Sequence, residues 1–379
     1  MILYVCSCFI RDADLSLNRN PFVETALAYT LSYISVLVPS TIAPSSITIL
    51  ADNDYYSASA DEVIPGERFH NFDVPLAKAN KTGLGSSAAL VTAITAALLS
   101  HYLDKDIFDI TSDIARRRLH NLAQASHCAA QGKVGSGFDV ASAVYGGCLY
   151  RRFTPSILTG HVEPGKRGFA QQLKDLVEET GRVGPWDTVI MKDSVKVPKG
   201  LRLVMCDVSC GSQTPGMVKK VLAWRAEQGL VAEQVWEDLH ASNQALVEGL
   251  KALAESGDSD YTHLRSCIYN VRKIIRHMSQ MSGVPIEPDA QTRLLDACSE
   301  LPGVVGGVVP GAGGYDAVAL LVEDRKEVID GLAQLLRDYR VEGPTEAAGS
   351  IAKVSLLGVR EDMVGTRTES TNIYGTWIS

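Results

Sequence analysis

The sequence predicts an α+β protein built as two domains, and three observations lead there. Its 379 residues exceed what one ordinary core organises, at about 100–200 residues per domain. Helical periodicity alternates with short strand-like runs, but without the regular β-then-α order a parallel sheet requires. Finally, Lys192–Gly200 (KDSVKVPKG) interrupts both patterns with charge, proline and glycine. It is the expected linker, dividing the chain into 1–199 and 200–379.

Apolar residues recur at helical spacing over 21–37, 86–103, 112–131, 215–229, 233–255, 260–281, 288–299 and 325–340. Short apolar runs rich in β-branched residues mark strands at 147–153, 188–192, 201–208, 304–309, 317–322 and 351–357. Between the first two helices, residues 52–75 are polar and turn-rich, a surface excursion or hairpin. From Thr366 onward the chain is polar and aperiodic, so it is expected to fray. There is no internal repeat and no low-complexity block.

Composition excludes several function classes. With 46% apolar and 21% charged residues the chain is globular, and a net charge of −8 offers no electrostatic footprint for nucleic acid. The one dense basic run, Arg116-Arg117-Arg118, reads as a solvated helix face. No apolar stretch reaches the ~18 residues of a membrane helix. The richest, Ala88–Leu99, is interrupted by Thr92 and Thr95 and is better read as a buried helix. Met1–Ile10 lacks the basic start and the cleavage site of a signal peptide. The eight cysteines form neither a CxxC pair nor a Cys/His ladder at zinc spacing, so reduced thiols in a cytoplasmic protein are expected. No obligate protein partner is evident.

Three glycine-rich segments carry the chemistry. In Lys81-Thr82-Gly83-Leu84-Gly85-Ser86-Ser87-Ala88 two glycines permit a tight turn and an alanine-rich helix opens at the serines. Exposed amides and the positive end of the helix dipole make an anion site there. Lys81 adds charge, and the hydroxyls can bond phosphate or its magnesium. The plain alternative is a serine N-cap after a glycine turn. A dinucleotide fingerprint is formally matched by Gly83-x-Gly85-x-x-Ala88. It fails on context, because the preceding FHNFDV is half polar and ends at Pro75, and no second strand presents Asp104. The second segment, Gly135-Ser136-Gly137-Phe138-Asp139, aims an acid from a constrained turn, or else caps a helix. The third, Pro310-Gly311-Ala312-Gly313-Gly314-Tyr315-Asp316, lies between two apolar strands and allows close backbone approach to a ligand, or else is a long hairpin turn.

The order GLGSSAA, GSGFD, PGAGGYD resembles the GHMP kinase superfamily. KTGLGSSAALVT, HNLAQASHCAAQGKVGSGFDVASAVYGG, YRRF, GVPIEP and PGAGGYDA are similar, within it, to the fungal type of the phosphomevalonate kinase family. The resemblance runs from Asn20-Pro21-Phe22 almost to the last residue. It implies an S5-like first domain, a ferredoxin-like second domain, and transfer of the ATP γ-phosphoryl to 5-phosphomevalonate on the route to isoprenoids and sterols. It further implies that Lys81, Gly83, Leu84, Gly85, Ser86, Ser87 and Ala88 hold ATP, with Ser87 on Mg2+. Asp139 falls at the catalytic acid's place, with Lys81 beside the reaction. Ser212, Gln213, Thr214 and Lys219, with Gly311, Gly313 and Gly314, fall where acceptor and transferred group are held. Arg272 is a further acceptor-phosphate candidate, or an exposed helical arginine.

Two departures stand out. Mevalonate kinases carry a glutamate metal ligand on the helix before the catalytic Asp, whereas here the neighbourhood holds His127 and Gln131. The superfamily's PGK-type first motif is also absent from residues 1–80. The chain thus looks like a truncated product or an incomplete gene model, expected to turn over poorly and to expose a sheet edge. Two rival readings follow: a sibling kinase acting on an alcohol such as mevalonate, and a non-catalytic remnant that binds without turnover.

Overall fold

The structure is a computed structural model and describes residues 2–6, 20–38, 41–55, 69, 82–160, 163–180, 185–192, 194–209, 216–340 and 351–374. It has two compact units: Met1–Ser194 together with Asp362–Ser379, and Val195–Glu361. The divide falls inside the Lys192–Gly200 segment, but residues 362–379 group with the first unit rather than the second.

The first unit runs β1 (Ile2–Cys6), α1 (Pro21–Leu37), β2 (Ser46–Leu50), α2 (Ser86–Tyr102), α3 (Asp113–Gln131), α4 (Phe138–Tyr145), β3 (Cys148–Arg151), α5 (Phe169–Glu178) and β4 (Val189–Lys192). Its described strands form two antiparallel pairs, β1 with β2 and β3 with β4. β1 pairs the whole length of β2, from Ile2 opposite Leu50 to Cys6 opposite Ser46.

Local signals explain the helix starts. Pro21 opens α1 behind Asn20, whose side chain accepts the amides of Phe22 and Val23. This is a standard way of satisfying first-turn donors. Ser112 caps α3 by accepting from Ala115 N, and Gly132 ends it in the left-handed conformation. α3 packs against α1, α2, α4 and α5, so it is enclosed on most sides. Leu119 and Leu122 are buried in the core beside Val91, Ile94 and Leu99 of α2, each contributing roughly 1.5–3 kcal/mol. Because α3 is so enclosed, its polar residues His120, Asn121, Gln124 and His127 are buried too.

The last described residues do not fray. The Thr366 hydroxyl donates to Ala143 O at 2.7 Å, Gly147 N donates to Asp362 O at 2.7 Å, and Tyr374 packs its ring on buried Phe69.

The second unit runs β5 (Leu201–Ser209), α6 (Met217–Gln228), α7 (Leu230–Ser256), α8 (Thr262–Ser282), α9 (Asp289–Ser299), β6 (Val304–Val308), β7 (Ala317–Glu323), α10 (Lys326–Asp338) and β8 (Lys353–Leu356). Its sheet has the order β6-β7-β5-β8, and every neighbouring pair is antiparallel. A β-α-β-β-α-β chain with the third strand between the first two is the split ferredoxin-like arrangement. Val204, Cys206, Val318, Leu320 and Val322 of the sheet share a core with Leu294, Leu295 and Leu332 of α9 and α10.

Candidate active site

In the first unit the glycine loop and two further segments converge. Gly85 is the N-cap of α2, with φ 71° and ψ 34°, and no side chain caps the helix. A left-handed N-cap suits glycine, and the uncapped first-turn amides are left for a ligand. The loop is braced from behind: the Thr82 hydroxyl donates to Asp54 O at 2.6 Å, and Thr82 N donates to Tyr55 O at 3.3 Å. Gly83 is exposed, Leu84 and Ser87 are half-buried, and Ser86 and Ala88 are buried.

Ser87 Oγ lies 3.1 Å from His127 Nε2. That nitrogen also lies 3.2 Å from Gln131 Nε2 and 4.0 Å from Asp139 Oδ2. The imidazole is buried and packs on the Phe22 ring, with centroids 5.6 Å apart. One histidine thus links α1, α2, α3 and α4. Asp139 is not a cap. It lies in the first turn of α4, whose N-cap is Gly137 at φ 82°. Its Oδ1 accepts the Val140 amide at 3.0 Å, and its side chain is 22% exposed. An ionised carboxylate is favoured at a helix N-terminus. Two helix starts, both introduced by left-handed glycines and neither capped by a side chain, therefore flank a carboxylate and a hydroxyl.

This set suits a magnesium nucleotide. Ser87 and Asp139 supply hard oxygen donors, and magnesium keeps several waters and binds phosphate oxygens rather than a full protein cage. Among the described residues there is no group of three or more His, Cys, Asp and Glu placed to hold a metal. Of the expected residues here, Lys81 lies outside the described residues.

In the second unit the Gly311–Gly314 loop joins β6 to β7 and rests on the GVPIEP segment, where Gly314 N donates to Ile286 O at 2.8 Å. The Gln291 amide donates to Tyr315 O at 2.6 Å. Lys219 is exposed in the first turn of α6. Ser212, Gln213 and Thr214 lie outside the described residues.

Arg272 is neither the exposed helical arginine nor a free phosphate ligand. It is 4% exposed. It bonds Glu287 through Nη2 at 2.8 Å, Asp296 through Nη1 at 2.8 Å, and the Thr292 carbonyl at 3.3 Å. Arg276 meets the same Glu287 at 3.0 Å. Its guanidinium donors are committed to the protein, and it ties the GVPIEP segment to α8 and α9.

Sequence reasoning noted His127 and Gln131 on the helix before Asp139, where mevalonate kinases carry a glutamate, but gave them no role. Their signal was the four-residue spacing that sets both on one face of the helix preceding Asp139.

The model of the GHMP kinases N terminal domain matches residues 65–147. "Phosphomevalonate kinase ERG8" of Gibberella zeae is 51% identical over 366 residues, covering 96% of this chain and 79% of that protein. "Phosphomevalonate kinase erg8" of Aspergillus fumigatus is 49% identical, covering 95% of this chain and 76% of its own. Among solved structures, a Lin0012 protein from Listeria innocua superposes with a TM-score of 0.59 at 19% identity, over 92% of this chain and 83% of that one. That likeness is one of fold.

Proposed function

As the chain belongs to the phosphomevalonate kinase family of the GHMP kinase superfamily, we propose that its glycine loop, Asp139 and the Gly311–Gly314 loop carry out the family's reaction. The enzyme is a phosphotransferase. It uses ATP to phosphorylate 5-phosphomevalonate, giving 5-diphosphomevalonate in the mevalonate route.

The observation that carries the site reading is the uncapped start of α2 behind Gly85, with Ser87 and Asp139 both facing His127. The amides of Ser86, Ser87 and Ala88 would receive the nucleotide's phosphates, with Gly83 and Leu84 shaping the approach and Lys81 adding charge. Ser87 would hold Mg2+, with phosphate oxygens and water completing the shell. Bound there, the ion would neutralise charge on the transferred phosphoryl.

The acceptor is itself a phosphate with a second pKa of about 6. At pH 7 it is mostly ionised, so positioning and charge neutralisation matter more than proton abstraction. Asp139 accordingly orients the reacting groups and serves as general base only secondarily. Ser212, Gln213, Thr214 and Lys219 would hold the acceptor, and Gly311, Gly313 and Gly314 would let backbone approach the transferred group. Arg272 stays a scaffold residue.

No helix among the described residues is long and apolar enough to cross a membrane. Cys128, Cys148, Cys206, Cys267 and Cys298 are free thiols, which supports placement in a reducing cytoplasm. Thiol titration after denaturation without reductant should recover nearly all the chain's cysteines.

The decisive experiment measures ADP release with 5-phosphomevalonate and with mevalonate in parallel. Turnover of the phosphorylated substrate alone is expected. Turnover of mevalonate instead would move the enzyme to the alcohol kinases, and nucleotide binding with neither would make it a binding protein.

A further inference from the structure

The turn before α4 is held from outside by residues that the glycine motif does not contain. Tyr150 of β3 donates its hydroxyl to Ser136 O at 2.8 Å. Two residues on, just past the strand, Arg152 Nη2 donates to Val134 O at 2.9 Å. From α3, Gln124 Nε2 lies 3.1 Å from Cys128 Sγ, which sets the Gln124 amide beside the turn. The α-carbon of Gly137 is enclosed by the same set: a β-carbon there would meet Gln124 Oε1 at 2.5 Å and the Tyr150 hydroxyl at 2.7 Å. Val134 and Ser136 are thus each held by a side chain from β3 or the residue after it, and Gly137 is enclosed by side chains from β3 and α3.

Glycine samples left- and right-handed backbone about equally, so the Gly-Ser-Gly turn does not choose its own conformation. Its neighbours choose it. Fixing the Ser136 carbonyl fixes the plane of the peptide that leads into Gly137, and Gly137 sets the direction in which α4 leaves. Asp139 lies in the first turn of that helix.

We propose that Tyr150, seconded by Arg152 and Gln124, is a positioning residue for phosphoryl transfer, acting through the Val134–Gly137 turn on the Asp139 carboxylate. The YRRF segment then has a role: Tyr150 and Arg152, at the two-residue spacing that sets side chains on one face of an extended chain, grip alternate carbonyls of the turn. Burial pushes the Tyr150 hydroxyl up to about 12, so it remains a donor at any pH where the enzyme works. The inference rests on the reading of Asp139 given above.

The test is a double-mutant cycle in the full chain with Tyr150→Phe, Asp139→Asn and the pair. Tyr150→Phe removes one hydroxyl and keeps the ring. It is expected to lower kcat by about tenfold to a hundredfold, the scale of a small misplacement of reacting groups, while KM for ATP changes by less than about threefold. In the Asp139→Asn background the same change is expected to have almost no further effect, because coupled residues are not additive. Arg152→Gln carries the same cycle from a surface position if the tyrosine variant does not fold. A full multiplicative loss in the Asn background, or a Tyr150→Phe enzyme with wild-type kcat, would overturn the proposal. A wild-type rate for Asp139→Asn alone would overturn the Asp139 reading itself, and the proposal with it.

Discussion

Gly85 turns its α-carbon toward Asp139, so that a β-carbon built on the glycine would stand 3.4 Å from the aspartate's own. The start of α2 and the start of α4 are therefore in packing register, and a side chain at 85 would disturb both. A methyl would fit by distance but not by backbone, since φ at 71° costs an ordinary residue roughly 1–2 kcal/mol. Valine adds branches beside the first-turn amides. Gly85→Val is expected to abolish ATP binding in a calorimetric titration while circular dichroism retains the helix signal. Unchanged affinity would remove the phosphate-loop reading.

Asp139→Asn keeps the shape of the side chain and removes its charge. We expect kcat to fall by about a hundredfold or more, on the scale of losing one electrostatic contact to a transition state, with nucleotide affinity largely kept. Lys81→Ala should be comparably severe, because the two anionic reactants then repel each other without that screen. Steady-state rates near wild type for Lys81→Ala would take the lysine out of the reaction.

The buried Arg272–Glu287 pair predicts a loss of stability rather than of substrate affinity. Removing one partner of a buried pair costs up to about 3–5 kcal/mol where the other charge is left uncompensated, and less here because Arg276 still meets Glu287 at 3.0 Å. Arg272→Met should therefore lower the urea midpoint. At temperatures where the variant is folded, KM for 5-phosphomevalonate should be nearly unchanged. A raised KM with normal stability would return Arg272 to the acceptor site.

His120 should give the fold an acid-sensitive component. The ring is buried against Tyr145 and Trp186. Its Nδ1 lies 3.3 Å from Asn121 Oδ1, and its Nε2 has no hydrogen-bond partner among the described residues. Burial, opposed in part by the Asn121 contact, lowers its pKa from 6.5 to about 4. Above pH 6.5 neither folded nor unfolded chain is protonated there, and the neutral ring costs nothing. As pH falls from 6.5 toward 4 the unfolded chain alone gains the proton, and up to roughly 3 kcal/mol of stability is lost. Urea midpoints across that range should fall in the wild type and fall less in His120→Phe. Parallel curves would exclude the histidine as the cause.

The long helices were legible because each presents several turns of one apolar face, and α10, α8 and α3 keep that face against a core. α4 and α5 were not. α4 spans Phe138–Tyr145, too short for a period to emerge, and α5 begins behind the turn-like Gly165–Gly168. β2 (SITIL) sits in a Ser, Pro and Thr-rich stretch, and β1 read only as an apolar terminus. Within the candidate site, the turns at Gly85 and Gly137 were visible because glycine spacing encodes backbone shape. Arg272 was misjudged because a helical pattern records which face is apolar, not whether a distant Glu287 waits to neutralise a buried charge. Tyr150 was hidden for a related reason: its hydroxyl matters only through a carbonyl in another segment.

The return of residues 362–374 to the first unit bears on the order in which the chain matures. Gly146 and Gly147 meet Asp362, Met363 and Gly365 backbone to backbone, and Arg116 holds the Val364 carbonyl. All of these downstream groups leave the ribosome after the whole of Val195–Glu361. The second unit can therefore finish first, while the nucleotide-binding unit waits with the end of α4 uncovered. A stop codon just before Asp362 should yield a ferredoxin-like module that resists protease beside a first unit that is digested.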